Sequence, residues 1–111
     1  MERLEALKEL EAAVMADKRP WREAGDADGK FSEFEAHHAL NAFDGSLDAA
    51  KALHEAMLPG WDIQLTTYDD VNFEASVSEP LAVKTFDGIS IVMSRAWLLA
   101  IIRAALAMEG E

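Results

Sequence analysis

At the start of the chain Leu4, Leu7, Leu10 and Val14 recur at steps of three or four, with Glu5, Lys8, Glu9 and Glu11 on the other side. That spacing predicts an amphipathic helix over about 1–18. Residues 19–31 break the pattern: Pro20, Gly25 and Gly29 lie among charged side chains, and the expectation is a flexible loop anchored at most by Trp21. Helical signals return over 32–58. Ser32 and Glu35 have the spacing of a capping box, followed by a short helix with Phe34, His38 and Phe43 on one face. Ser46 then caps a second helix with a stripe of Leu47, Ala50, Leu53 and Met57. Asp48 sits favourably in its first turn, and Pro59-Gly60 ends it.

After Gly60 the period changes to two. Trp61, Ile63 and Leu65 alternate with Asp62, Gln64 and Thr66, and Val71, Phe73, Ala75 and Val77 alternate with Asn72, Glu74, Ser76 and Ser78. Tyr68-Asp69-Asp70 joins these two strands. A third and a fourth strand, about 82–86 and 89–92, are expected on either side of Asp87-Gly88, the dipeptide favoured in type I′ hairpins. Residues 61–92 thus form a three- to four-stranded antiparallel meander with one wet face that displays Asp62, Gln64, Asn72 and Glu74. Ser94 is placed as the cap of a last helix over 94–108, where Trp97, Leu98, Leu99, Ile101, Ile102, Ala105 and Leu106 point in every direction. Such a helix is buried on most sides, by its own chain or by a second subunit. Burying each Leu or Ile favours coverage by ~1.5–3 kcal/mol. The expected fold class is α+β: N-terminal helices, the meander, and the apolar C-terminal helix packed on the sheet in an α/β/α sandwich-like order.

The length of 111 residues suits a single domain, and a hydrophobic content of 50% places the charge on a globule rather than a disordered tail. That charge is −11, from 21 acidic and 10 basic residues. It argues against direct nucleic-acid binding, which needs clustered Lys and Arg. It suits a partner with a basic surface, or serves solubility alone. The absence of cysteine removes disulfides and thiolate chemistry and is compatible with a reducing cytoplasm. The longest apolar run, 96–102, falls far short of the ~20 residues that cross a bilayer. Met1-Glu2-Arg3 opens without a signal-peptide core. A cytoplasmic protein without a membrane role is expected.

Among candidate chemistries, residues 26–35 have the form of the second part of an EF-hand loop. Taking Gly29 as the turn glycine puts Asp26, Asp28, Phe31, Ser32 and Glu35 in register for calcium, but leaves Ala24 where the first carboxylate belongs, and Pro20 interrupts the incoming helix. A capped acidic loop accounts for the same residues. His37, His38 and His54 lack metal-ligand spacing and are expected to be solvated or half-buried. Asp69-Asp70 suits a turn better than an acid/base pair. No nucleophile elbow, phosphate loop or zincin motif occurs, so neither an enzyme nor a cofactor is expected.

The stretch 46–61, Ser-Leu-Asp-Ala-Ala-Lys-Ala-Leu-His-Glu-Ala-Met-Leu-Pro-Gly-Trp, is followed by an alternating strand and a terminal helix rich in Ala, Leu and Ile around Arg103. Over about 43–108 it resembles the phage ABA sandwich domain, a group of small proteins from temperate phages and prophages. Asp62 after Trp61 and Met93-Ser94 in place of Thr-Pro depart from that pattern. The resemblance implies a phage-encoded accessory protein and carries over no catalytic residue. Together with the charge, it leads to an expectation of a non-enzymatic binder of a host or phage protein, such as an inhibitor of a nucleic-acid-handling or defence complex. Asp62, Asp69, Asp70 and Glu74 are its candidate contact residues. The alternative is a structural module that homodimerises through the last helix.

Overall fold

The computed structural model describes residues 2–27, 29–81 and 84–110. Their order is α1 (Glu2–Met15), a short 3-10 helix (Ala24–Ala27), α2 (Glu33–Phe43), α3 (Leu47–Met57), β1 (Asp62–Thr67), β2 (Phe73–Ser78), β3 (Thr85–Ser90) and α4 (Met93–Glu109). The α+β class therefore holds, with the C-terminal helix on the sheet.

The local signals that place the helices are short-range hydrogen bonds. At α2 the capping box is complete: the Glu35 N–H donates to Ser32 Oγ at 3.1 Å, and the Ser32 N–H to Glu35 Oε1 at 2.9 Å. At α3 the Ala49 N–H donates to Ser46 Oγ at 3.0 Å. Gly60 then turns the chain into β1 at φ 82, a left-handed backbone that glycine adopts without strain. The loop after α1 is held at more points than the one expected, with Ala27 and Phe31 buried in the core. Trp21 packs edge-on against Phe31 at 5.7 Å, and Arg19 donates to both carboxylate oxygens of Asp44 at 3.1 and 2.9 Å.

The buried helix faces differ in part from the expected stripes. In α2 the core side is Ala36, Ala39, Leu40 and Phe43, while Phe34 remains 48% exposed and stacks on His38 at 4.1 Å. The alanines allow α2 to lie close to α3 and α4; a Phe34 side chain at that interface would hold the helices apart. In α3 the buried residues are Ala49, Ala50, Leu53 and His54, and Leu47 faces outward.

Helix α4 is covered by its own chain. Its Ala96, Leu98, Ala100, Ile101 and Ala104 are fully buried between β2 and β3 on one side and α1, α2 and α3 on the other. The central turns of this helix are covered within one molecule, while Met108 at its end is exposed. Ser94 is not its cap: the N-cap falls two residues earlier, on Val92, and the Ser94 hydroxyl donates to the Ala42 carbonyl at 2.5 Å. Arg95 follows it, donating to the Phe43 carbonyl at 2.6 Å with its guanidinium 3.9 Å above the Phe43 ring. Arg95 thereby satisfies the Phe43 carbonyl, which the end of α2 leaves without a helical partner, and Ser94 adds a second donor to the Ala42 carbonyl, which also accepts the Gly45 N–H at 3.2 Å.

The sheet is a meander of three strands, β1-β2-β3, both pairs antiparallel. Among the described residues no fourth strand and no Asp-Gly hairpin form. β3 runs straight through Asp87 and Gly88, pairing Ala75 with Gly88 and Ser76 with Asp87. The reason is steric: a Cβ at Gly88 would lie 2.2 Å from the Ala96 carbonyl oxygen and 2.8 Å from the Ala100 nitrogen. Glycine serves close approach of α4 to the strand rather than a turn. Residues 82 and 83, expected to open the third strand, lie outside the described residues.

The layers run sheet, then α4, then α1–α3. Ala75, Val77 and Gly88 are buried against α4, while Asp62, Gln64, Thr66, Thr85, Asp87 and Ile89 on the opposite face are exposed. Among the described residues helices lie on one face of the sheet, where an α/β/α sandwich would cover both.

Candidate functional site

The uncovered face of the sheet is a polar surface that the fold organises from three strands. Alternation dictates its membership. Reading across the strands, Asp62, Ser78 and Thr85 form one row, Gln64, Ser76 and Asp87 the next, and Thr66, Glu74 and Ile89 the third. Asp62, Glu74 and Asp87 thus project from three different strands. Ser76 Oγ donates to Asp87 Oδ1 at 2.6 Å, and the Ser78 and Thr85 hydroxyls meet at 3.1 Å, so the face is fixed by cross-strand hydrogen bonds.

The three strands themselves contain no lysine or arginine. Between Lys51 and Lys84 the chain contains neither, but carries Glu55, Asp62, Asp69, Asp70, Glu74 and Glu79. Arginines are drawn elsewhere. Arg3 donates to both oxygens of Glu35 at 3.0 and 2.9 Å and to Glu109 at 2.9 Å. Arg103 donates to Glu11 at 3.0 Å and to the Asp87 carbonyl at 2.8 Å. Positive charge ties helices together, and negative charge is left on the sheet.

Of the four carboxylates expected to contact a partner, Asp62 and Glu74 share this face. Asp70 lies exposed in the β1–β2 connection. Asp69 works within that connection. Its Oδ1 accepts the N–H groups of Val71 and Asn72, each at 2.9 Å, and both its oxygens accept from the Asn72 side-chain amide. The Val71 N–H, followed by the Asn72 side chain, holds this carboxyl below the usual aspartate range. Asp69 builds the turn. Asp87 also belongs to the face, and the hairpin expectation for Asp-Gly hides it; continuing the period of two through Thr85-Phe86-Asp87-Gly88-Ile89 would have placed it.

The residues that resemble part of an EF-hand loop are engaged in other contacts. Asp26 accepts the Glu23 N–H at 3.1 Å within the 3-10 turn. Glu35 is committed to Arg3 and Ser32, and the Arg3 guanidinium, as the largest influence, holds its carboxyl low. Asp28 lies outside the described residues. Among the described residues no three His, Asp or Glu side chains converge as a metal site would need.

His54, expected to be solvated or half-buried, is instead 5% exposed. Its Nδ1 accepts the Trp97 indole N–H at 3.1 Å, since that group can only donate. Nε2 must then carry the proton and donate to the Trp61 carbonyl at 2.9 Å. The imidazole bolts α3, the start of β1 and α4 together. His37 and His38 remain on α2, bonded to Asn41 and to the Phe34 carbonyl.

Comparison with protein-family models, with curated proteins and with solved structures finds no match for this chain. Among the described residues no helix is long and apolar enough to cross a membrane.

Proposed function

We propose that this protein works by binding rather than catalysis, receiving a basic surface of another protein on the uncovered acidic face of its sheet. The single observation behind the proposal is the row geometry that sets Asp62, Glu74 and Asp87 on one rigid polar surface without a lysine or arginine among its residues. Opposed potentials of this kind steer encounter and fix specificity. In the form suggested by the resemblance to phage ABA sandwich proteins, the partner is a nucleic-acid-handling or defence complex inside a bacterial host. The carboxylates would then occupy a groove that normally holds phosphates.

Affinity capture from bacterial lysate, eluted first in low and then in high salt, tests this reading. Retention of a basic protein that high salt releases is expected. Reversing Asp62, Asp70, Glu74 and Asp87 to lysine should abolish retention with the circular dichroism spectrum unchanged; Asp69 is left intact because it holds the turn. Retention that survives the reversal in low salt would overturn the proposal.

A further inference from the structure

Strand β1 is a strand with an unfilled side. The Tyr68 N–H donates to the Asn72 carbonyl at 2.9 Å, which makes Tyr68–Asn72 a hydrogen-bonded pair of the antiparallel ladder. Such pairs alternate. Thr66–Glu74, Gln64–Ser76 and Asp62–Ser78 are then the remaining bonded pairs, and the N–H and C=O groups of Ile63, Leu65 and Thr67 point away from β2. No partner for them exists among the described residues. The same three side chains face the α4 side of the sheet, yet α4 packs on β2 and β3 and leaves β1 overhanging. Ile63 is consequently 36% exposed and Leu65 only half-buried. The usual guards of such an edge, a lysine, a proline or a bulge, do not occur between Asp62 and Thr67.

We infer that β1 pairs antiparallel with β1 of a second copy, about a two-fold axis at Leu65, to give one six-stranded sheet. Three features select a second copy. First, the register is self-complementary: Leu65 faces Leu65, and Ile63 faces Thr67 of the second copy. Every outward N–H and C=O of the three residues then finds a partner, and the half-exposed leucines cover each other. Second, no like charges meet, because Asp62 falls opposite Tyr68 of the second copy. Third, the assembly closes. On β3 the equivalent bonded pairs begin with Glu79 N–H to Lys84 C=O, so the outward carbonyl of that strand's middle is Asp87, and Arg103 already occupies it at 2.8 Å. One open edge and one guarded edge give a dimer rather than a filament.

The inference is independent of any basic partner, and salt separates the two. Binding to a basic surface weakens as salt rises, whereas two acidic copies should associate more strongly. Sedimentation of the full chain over rising micromolar concentration should show a dimer that salt favours. Since the chain has no cysteine, Leu65→Cys gives a clean register test. Opposed residues in a bonded pair sit about 5.5 Å apart at Cα, within disulfide reach. Mild oxidation should therefore link Leu65→Cys copies readily and Gln64→Cys copies poorly. Thr67→Pro removes only an outward N–H, leaves the ladder to β2 intact, and should weaken the dimer by about tenfold or more with melting unchanged. A monomer at every concentration, equal cross-linking of the two cysteine variants, or a dimer indifferent to Thr67→Pro would each overturn the inference.

Discussion

Strand β3 lies under α4 with Gly88 against the helix backbone and Arg103 across its outer carbonyl, whereas β1 at the other side of the same sheet touches chiefly β2 and shows both faces to solvent. Both strands have six residues and pair along their whole length with β2. What separates them is the layer beneath. A helix covers about two strands of a sheet at the usual spacing, so a third strand must find cover elsewhere or be used for something else. Stability and interaction are thereby assigned to opposite sides of one small sheet.

Substitutions can break that contrast in order of size. Gly88→Val should cost the most, roughly 4 kcal/mol or complete loss of folding, because the added carbons meet backbone atoms of α4 that cannot move aside. Urea unfolding of purified protein, or its failure to accumulate, would register this. Arg103→Met should cost about 1–3 kcal/mol by leaving the Asp87 carbonyl and Glu11 without their donor. The same variant removes the guard from β3, and slow growth of larger assemblies in light scattering is the expected second effect.

A smaller, pH-dependent effect comes from the helical side. Glu35 is held below its ordinary value of 4.5 chiefly by hydrogen bonds from Arg3. A depressed carboxyl stabilises fully above its unfolded value and loses that contribution as pH falls through its folded value. The melting temperature should therefore fall as pH drops from about 5 to about 3, and Arg3→Met should flatten that limb. Gln64→Thr on the outer face of β1 should be the least felt, within about 0.5 kcal/mol, as judged by the urea midpoint. A large loss there would mean that β1 is less peripheral than its exposure implies.

Much of this architecture is legible from residue order because it rests on short-range rules. Ser32 with Glu35, Ser46, Pro59-Gly60 and the alternation through 61–67 and 71–78 each act within a few residues. The errors cluster where distant segments meet. Ser94 has the place of a cap in the sequence, but its hydroxyl is taken by Ala42, far back in the chain. Asp87-Gly88 has the form of a turn, but α4 arrives over it. Phe34 fits an apolar stripe, yet alanines are what the neighbouring helices admit. For the candidate site, Asp62 and Glu74 can be assigned to one face from parity alone. The role of Asp69 depends on which backbone N–H groups the turn aims at its carboxylate, and that is set by the closed loop rather than by composition.

The contact at Gly88 also says where inheritance should leave its mark. Gly88 lies against the Ala96 carbonyl and the Ala100 nitrogen, backbone against backbone, so no exchange of side chains on α4 makes room for a Cβ there. Outer-face positions without a cross-strand side-chain hydrogen bond, such as Gln64 and Thr66, can change singly with little consequence for their neighbours. Descendants of this chain would then keep the glycine of the last strand at the point where α4 crosses it. A glycine in the last strand, followed within a few residues by a helix apolar on nearly every side, is the mark this contact leaves in the residue order.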